Sequence, residues 1–142
     1  MTGPALTMEQ SLHEVLSRPK DRLGDLFYRD FLKHYPDLQH YFDKLDLQVQ
    51  ATMLMNALRV VVAHAGERHA AATEYLKILG HRHHQMEIPL DAFPKFTDSM
   101  LAALSRFHGP AWSVELAQDW RFALEEAVAA MELGYRDRSL TY

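Results

Sequence analysis

The chain contains no cysteine. A disulfide framework, a thiolate metal cluster and a cysteine nucleophile are thereby excluded, and the composition suits a reducing cytoplasm. The six glycines form neither a Gly-x-Gly-x-x-Gly fingerprint nor a Walker loop, and no Gly-x-Ser-x-Gly elbow occurs. Without those loops there is no backbone cradle for a dinucleotide or a nucleoside triphosphate, and no local support for a serine nucleophile. Long apolar runs are missing too. The longest uncharged stretch, Leu47 to Leu58, is interrupted by Gln48, Gln50, Thr52 and Asn56 and falls short of the roughly 20 apolar residues of a membrane span. The N-terminus lacks a basic region followed by an apolar run, so no secretory signal is expected. A formal net charge of −4 and a pI near 6.1 give no electrostatic case for nucleic acid or an anionic membrane surface as a partner.

Strand signals are also absent: there is no sustained period-2 alternation, no Asn-Gly or Asp-Gly turn, no internal repeat and no low-complexity segment. The punctuation that is present is helical. Thr7 with Gln10 reads as a capping box opening a helix with Leu12, Val15 and Leu16 on one side, ending by Pro19. A second helix carries Leu23, Leu26, Phe27, Phe31 and Leu32 and ends near Tyr35, because Pro36 disfavours helical geometry in the residue before it. Pro36 opens a short turn of helix to about Phe42. Asp46 caps a long helix to Gly66, and the next runs from about Ala70 to Met86. Asp91 with Pro94 in the first turn starts another, broken at Gly109-Pro110; Ser113 with Glu115 opens the last, ending at Gly134. At 142 residues with 48% hydrophobic residues, the expectation is one all-α domain over 1–142, with tails at about 1–6 and 136–142 and six to eight crossed helices of uneven length.

Three polar residues sit where apolar ones are expected. On the long helix Leu47, Gln50, Leu54, Ala57, Leu58 and Val61 recur at three- and four-residue steps, so they share one stripe. Gln50 is either a partly solvated residue at the edge of that stripe or an amide aimed into a cavity that needs a donor. Tyr28, between Phe27 and Phe31, is either a core tyrosine bonded to a backbone carbonyl or a hydroxyl reserved for a ligand. His83 lies among Leu76, Leu79 and Ile88. A lone histidine on an apolar face is usually a satisfied core residue, but it is also a ready axial ligand for haem iron. His81 and His84, three apart, could chelate an adventitious ion, whereas no Glu-x-x-His or His-Glu-x-x-His pair supports a zinc or di-iron site. His13, His34, His40, His64, His69 and His108 read as structural or solvated.

The run Phe27-Tyr28-Arg29-Asp30-Phe31-Leu32, then Pro36-Asp37-Leu38 and Phe42, followed by Gln50-Ala51-Thr52-Met53-Leu54 and by Leu79-Gly80-His81-Arg82-His83 with Ile88 five residues on, resembles the globin domain of the flavohaemoglobin and single-domain bacterial haemoglobin family. The resemblance runs from about Leu12 to about Met131. It implies a globin fold around one haem b, with His83 as the proximal iron ligand and Tyr28, Gln50 and Leu54 forming the distal wall. Phe42 is implied to stack on the porphyrin, Leu79, Ile88 and Phe93 to line the pocket, and Arg82 to reach a haem propionate unless it is simply solvated. O2, NO and CO are the implied ligands. Two positions depart from the family pattern: Phe93 stands where a tyrosine commonly hydrogen-bonds the ligating histidine, and Tyr135, with Glu132 one turn earlier, stands where a glutamate is common. His83 is then left with a backbone carbonyl as partner, which weakens its electron push. The functional expectations are O2 binding or transport, or NO dioxygenation with electrons from a separate reductase. The alternatives are a gas sensor acting through a partner and a haem-free helical module.

Overall fold

A computed structural model describes residues 6–18, 22–67 and 69–137; Pro19 and most of the two expected tails lie outside them. The described residues contain helix and no strand. The helices are α1 (Met8–Ser17), α2 (Arg22–His34), α3 (Leu47–Glu67), α4 (Ala70–Gln85), α5 (Ala92–His108) and α6 (Val114–Arg136), with 3-10 turns at Pro36–Tyr41 and Gly109–Ala111.

Local chemistry explains most of these boundaries. Thr7 and Gln10 form the reciprocal capping box, with Thr7 N donating to Gln10 Oε1 at 2.9 Å and Gln10 N to Thr7 Oγ1 at 3.1 Å. Asp46 accepts from Gln48 N at 2.9 Å ahead of α3, and Ser113 accepts from Leu116 N at 3.0 Å to start α6. Asp91 precedes α5 but makes no side-chain cap. Two backbone turns, Ala92 N to Pro89 O and Phe93 N to Leu90 O, begin that helix instead.

Gly134 departs from expectation. It does not end α6, which continues to Arg136. A Cβ at Gly134 would overlap the Lys77 carbonyl of α4, and one at Gly80 would overlap the Met131 carbonyl of α6. The two glycines therefore let α4 and α6, the most extensively packed helix pair, lie backbone against backbone. Gly24 plays the same part more gently where α2 crosses α3, facing the Ala51 side chain.

The core is filled by Trp120, Leu116 and Leu124 of α6, Met100 and Leu104 of α5, Phe27 and Leu23 of α2, Leu58 of α3 and Leu76 of α4. Fully burying side chains of this size contributes about 1.5–3 kcal/mol each for Leu, Met or Phe. α1 is tied to this core by a polar chain. Trp120 Nε1 donates to the fully buried Ser11 Oγ at 3.0 Å, and Ser11 Oγ lies 2.6 Å from His108 Nε2. Ser11 Oγ, with one proton and two lone pairs, can accept from Trp120 and either donate to or accept from His108 Nε2, and His108 Nδ1 lies 3.7 Å from Glu14 Oε2.

Candidate functional site

Between α2 and α3 on one side and α4, α5 and α6 on the other lies a cavity of about 220 Å³. Its lining is overwhelmingly apolar, and it brings together residues separated by more than a hundred positions in the chain. Tyr28, Phe42, Gln50 and Leu54 line it from α2, the Pro36–Tyr41 corner and α3; Leu79, His83, Ile88 and Phe93 line it from α4 and the turn into α5. Of the expected site residues only Arg82 is not in the wall; it is exposed. A larger concavity of about 510 Å³ lies at the α5–α6 corner, lined by Leu101, Trp112, Val114 and Arg121. It holds no histidine, and its one charged group, Arg121, is paired with Asp98 and Glu125. Chemistry therefore selects the smaller cavity.

His83 is held in one tautomer. Its Nδ1 lies 2.8 Å from the Leu79 carbonyl one turn back, so Nδ1–H donates and the lone pair is on Nε2. Burial pushes its pKa below the ordinary histidine value, partly opposed by that hydrogen bond, so the ring is neutral and able to ligate a metal. The neighbouring histidines face elsewhere. His84 is exposed and packs edge-on against Tyr135, with ring centroids 5.0 Å apart, while His81 Nδ1 lies 3.4 Å from the Gly134 carbonyl. Among the described residues no group of three His, Asp or Glu could hold a metal ion.

The turn that follows His83 is unusually well fastened. Glu87 adopts φ 61°, its N–H donates to His84 O, and Ile88 N–H donates to His83 O. These are the two bonds of a Schellman cap, with Glu87 in the position usually taken by glycine. Two tyrosines hold the next carbonyls: Tyr41 Oη donates to Glu87 O at 3.0 Å, and Tyr135 Oη to Ile88 O at 2.7 Å. Tyr135 thus braces the His83 turn and does not meet the His83 ring. Phe93 separates them, its centroid 6.1 Å from His83 and 5.8 Å from Tyr135. The hydrogen-bond partner of His83 is the Leu79 carbonyl and no carboxylate.

Across the cavity Tyr28 is buried, edge-on to Phe27 at 4.9 Å and to Phe42 at 5.6 Å. Burial pushes its hydroxyl up to about 12, so it stays a donor at any physiological pH. Among the described residues that hydroxyl forms no hydrogen bond, and the backbone carbonyl considered for it is not found. Gln50 is half-buried and combines both readings considered for it. It lines the cavity, yet its Nε2 lies 3.9 Å from Met53 Sδ at the rim. Met53 and Tyr75, both exposed, line the mouth, and nothing in their sequence surroundings singles them out. Leu124, Ala127, Val128 and Met131 of α6 also line the cavity. Their three- and four-residue spacing is the available signal for that face.

Comparisons with known proteins bear on family and fold. Residues 25–131 match the family model for globins. A flavohemoprotein of Halalkalibacterium halodurans is 24% identical over 113 residues, which is 78% of this chain and 27% of that protein, so the chain spans about a quarter of the length of that relative. Haemoglobin of the shortfin mako, Isurus oxyrinchus, superposes with a TM-score of 0.74 over 90% of this chain and 95% of its own at 16% identity, a likeness of fold. The cavity between α3 and α4 is thus the interior of a known architecture, and the chain belongs to the globin family.

Proposed function

We propose that this globin binds one haem b in the cavity, where His83 Nε2 would hold the iron, and that the loaded protein would reversibly bind O2, and also NO and CO, on the Tyr28 side. The donor set fits such a group. A neutral imidazole with its Nε2 lone pair uncommitted and a phenol with no hydrogen bond to the described residues share one apolar chamber, and a donor that lines a cavity without a protein partner is available to a ligand. That pairing of His83 with a cavity-lining Tyr28 is the observation that carries the reading.

Ferrous haem, when bound in that chamber, would supply an iron able to bind a diatomic gas. The residues of the chain do the rest. Tyr28 Oη donates a hydrogen bond to a ligand that gains negative charge, and Gln50 turned inward adds a second. Phe42 would pack against the bound group, Leu54 would limit the room beside the ligand, and the apolar lining would keep bulk water out. Leu79, Ile88 and Phe93 orient the His83 ring. Arg82, being exposed, is available to a propionate at the edge.

Likeness to a flavohemoprotein favours a second activity, conversion of NO to nitrate, for which a separate reductase would supply the electrons and act as partner. His83 meets a carbonyl where a carboxylate would strengthen its push, so the reading favours ligand binding, with sustained redox turnover only when a reductase is added. A cytoplasmic location fits the cysteine-free composition, and no described helix is long and apolar enough to cross a membrane.

Absorption spectra of the purified chain titrated with haemin, taken ferric, ferrous and with CO, provide the test. One equivalent should give a histidine-ligated spectrum that His83→Ala loses and that His81→Ala and His84→Ala keep. An unchanged ferrous-CO spectrum in His83→Ala would sink the assignment.

A further inference from the structure

Two described methionines are exposed, and to the same degree: Met53 at 54% and Met86 at 53%. Of the two, only Met53 lines the cavity, and its sulfur is 3.9 Å from the Gln50 amide nitrogen one helical turn earlier on α3. A thioether is a weak acceptor, so at that length it holds the amide lightly and leaves it able to turn inward. A sulfoxide oxygen on the same sulfur is polar and a far stronger acceptor.

We propose that Met53 is a peroxide-modification site that switches Gln50. The addition of one oxygen to Met53 Sδ captures the amide at the mouth and withdraws it from the cavity. The oxidant is hydrogen peroxide. A sulfur lone pair attacks one peroxide oxygen, the O–O bond breaks, and the departing oxygen leaves as water after proton transfer. Sulfur is oxidised by two electrons, peroxide is reduced by two, and the product is methionine sulfoxide plus water. The Gln50 N–H beside the sulfur stabilises the negative charge that develops on the departing oxygen. Met86 has no such neighbour in the cavity wall. Methionine sulfoxide is reversible by dedicated reductases, so the change is a switch and not simply damage. Its effect on gas release rests on the proposed haem reading; the modification itself does not.

The full chain treated with a small excess of hydrogen peroxide and mapped by peptide mass tests this directly. With whole-residue exposure nearly equal, one transition-state hydrogen bond should make Met53 gain oxygen about five-fold faster than it does in Gln50→Leu, with Met86 as the internal reference. Side-chain amide NMR signals of Gln50 should shift on oxidation and return after treatment with methionine sulfoxide reductases, with or without haem. In the haem-loaded chain, O2 release from the oxidised protein should rise to the rate of Gln50→Leu, while peroxide leaves the rate of Met53→Leu where it was. Equal oxidation of Met53 in wild type and Gln50→Leu, measured against Met86, or Gln50 signals that do not move, overturns the proposal. Failure to bind haem would overturn the gas-binding reading and leave the first two readouts to decide this one. Haem binding with unchanged O2 release after full oxidation of Met53 would overturn the switch alone.

Discussion

On the α4 side of the cavity backbone rests on backbone: Gly80 against the Met131 carbonyl, Gly134 against the Lys77 carbonyl, a Schellman cap after His83, and two tyrosine hydroxyls on the Glu87 and Ile88 carbonyls. On the α2–α3 side the deep wall is packed side chains such as Phe27, Tyr28 and Leu54, while the rim residues Gln50 and Met53 have freedom to rotate, and the close crossing there sets Gly24 against Ala51. Peptide groups in contact have few alternative arrangements, whereas an amide and a thioether at a solvent-exposed rim have many. Precision is therefore concentrated around the histidine, and adaptability around the space it faces. For a proposed gas-binding site that division makes physical sense. The ligating ring must stay put, while the opposite wall must admit and release a small molecule.

The largest effect should come from disturbing the close crossing. Gly134→Ala and Gly80→Ala each push a methyl group into a carbonyl that cannot rotate away. Overpacking of this kind costs about 1–3 kcal/mol and occasionally more, which outweighs the roughly 0.5–1 kcal/mol that alanine gains over glycine in a helix. Gly66, also helical, has open space where a Cβ would stand, with nothing within 4 Å, so Gly66→Ala should be neutral or stabilising. Thermal melts of the three variants compare the crossing with open helix. Equal melting points would mean that α4 and α6 separate without cost.

Next in size is Tyr28→Phe, and it should act on ligand and not on fold. The hydroxyl has no hydrogen bond to lose among the described residues, so stability should change by less than about 0.5 kcal/mol. If the phenol donates to a bound, charge-bearing O2, its removal costs about 1.5–3 kcal/mol and speeds O2 release roughly ten- to hundred-fold. CO, which carries little charge, should leave at a similar rate from both proteins. Stopped-flow release of the two gases reads the difference, and equal O2 rates would show that Tyr28 serves the fold alone.

Acid should loosen the junction of α1 with the core, through His108. Burial lowers the His108 pKa, and the charged group beside it, Glu14, opposes that shift without overcoming it. A histidine depressed in the folded state adds stability that is fully present above its unfolded value of about 6.5 and is lost as pH falls through the folded value. Protonation puts a charge on a buried ring, and the Glu14 carboxylate 3.7 Å away offsets that cost only in part. His108→Gln should flatten the decline in melting temperature below about pH 6.5. A slope identical to wild type would assign the acid sensitivity to other groups.

Much of this is legible in the sequence where residues act on their neighbours. The Thr7–Gln10 box, the stop before Pro36 and the break at Gly109 are local chemistry, and each appears as expected. His83, Tyr28, Gln50 and Phe42 line one cavity, a grouping that the family resemblance implies, whereas helical period by itself leaves Tyr28 and Gln50 open between a structural and a cavity-facing role. Gly134 defeats the same reasoning because a glycine that ends a helix and one that admits another backbone look alike, and what distinguishes them is Lys77, fifty-seven positions away. Tyr135 and Tyr41 are unreadable for the same reason. Their acceptors are backbone carbonyls, which every residue has.

The smallest effect tests whether the fastening after His83 stores strain. Glu87 holds φ 61° in a Schellman cap, a conformation that favours glycine because a Cβ crowds the following carbonyl. Glu87→Gly should therefore relieve about 1 kcal/mol in the folded state, partly offset by the greater freedom of glycine in the unfolded chain. The net gain is a few tenths to about 1 kcal/mol, or roughly 1–4 °C in melting temperature. The Tyr41 and Tyr135 bonds end on carbonyls that survive the change, so the turn keeps its shape. Glu87→Val, with a β-branched side chain in the same φ region, should lose stability instead. Melts of the three proteins separate the cases: glycine above glutamate above valine places strain in the turn that carries His83. Equal or inverted order would mean that the two tyrosines, not the backbone, set its conformation.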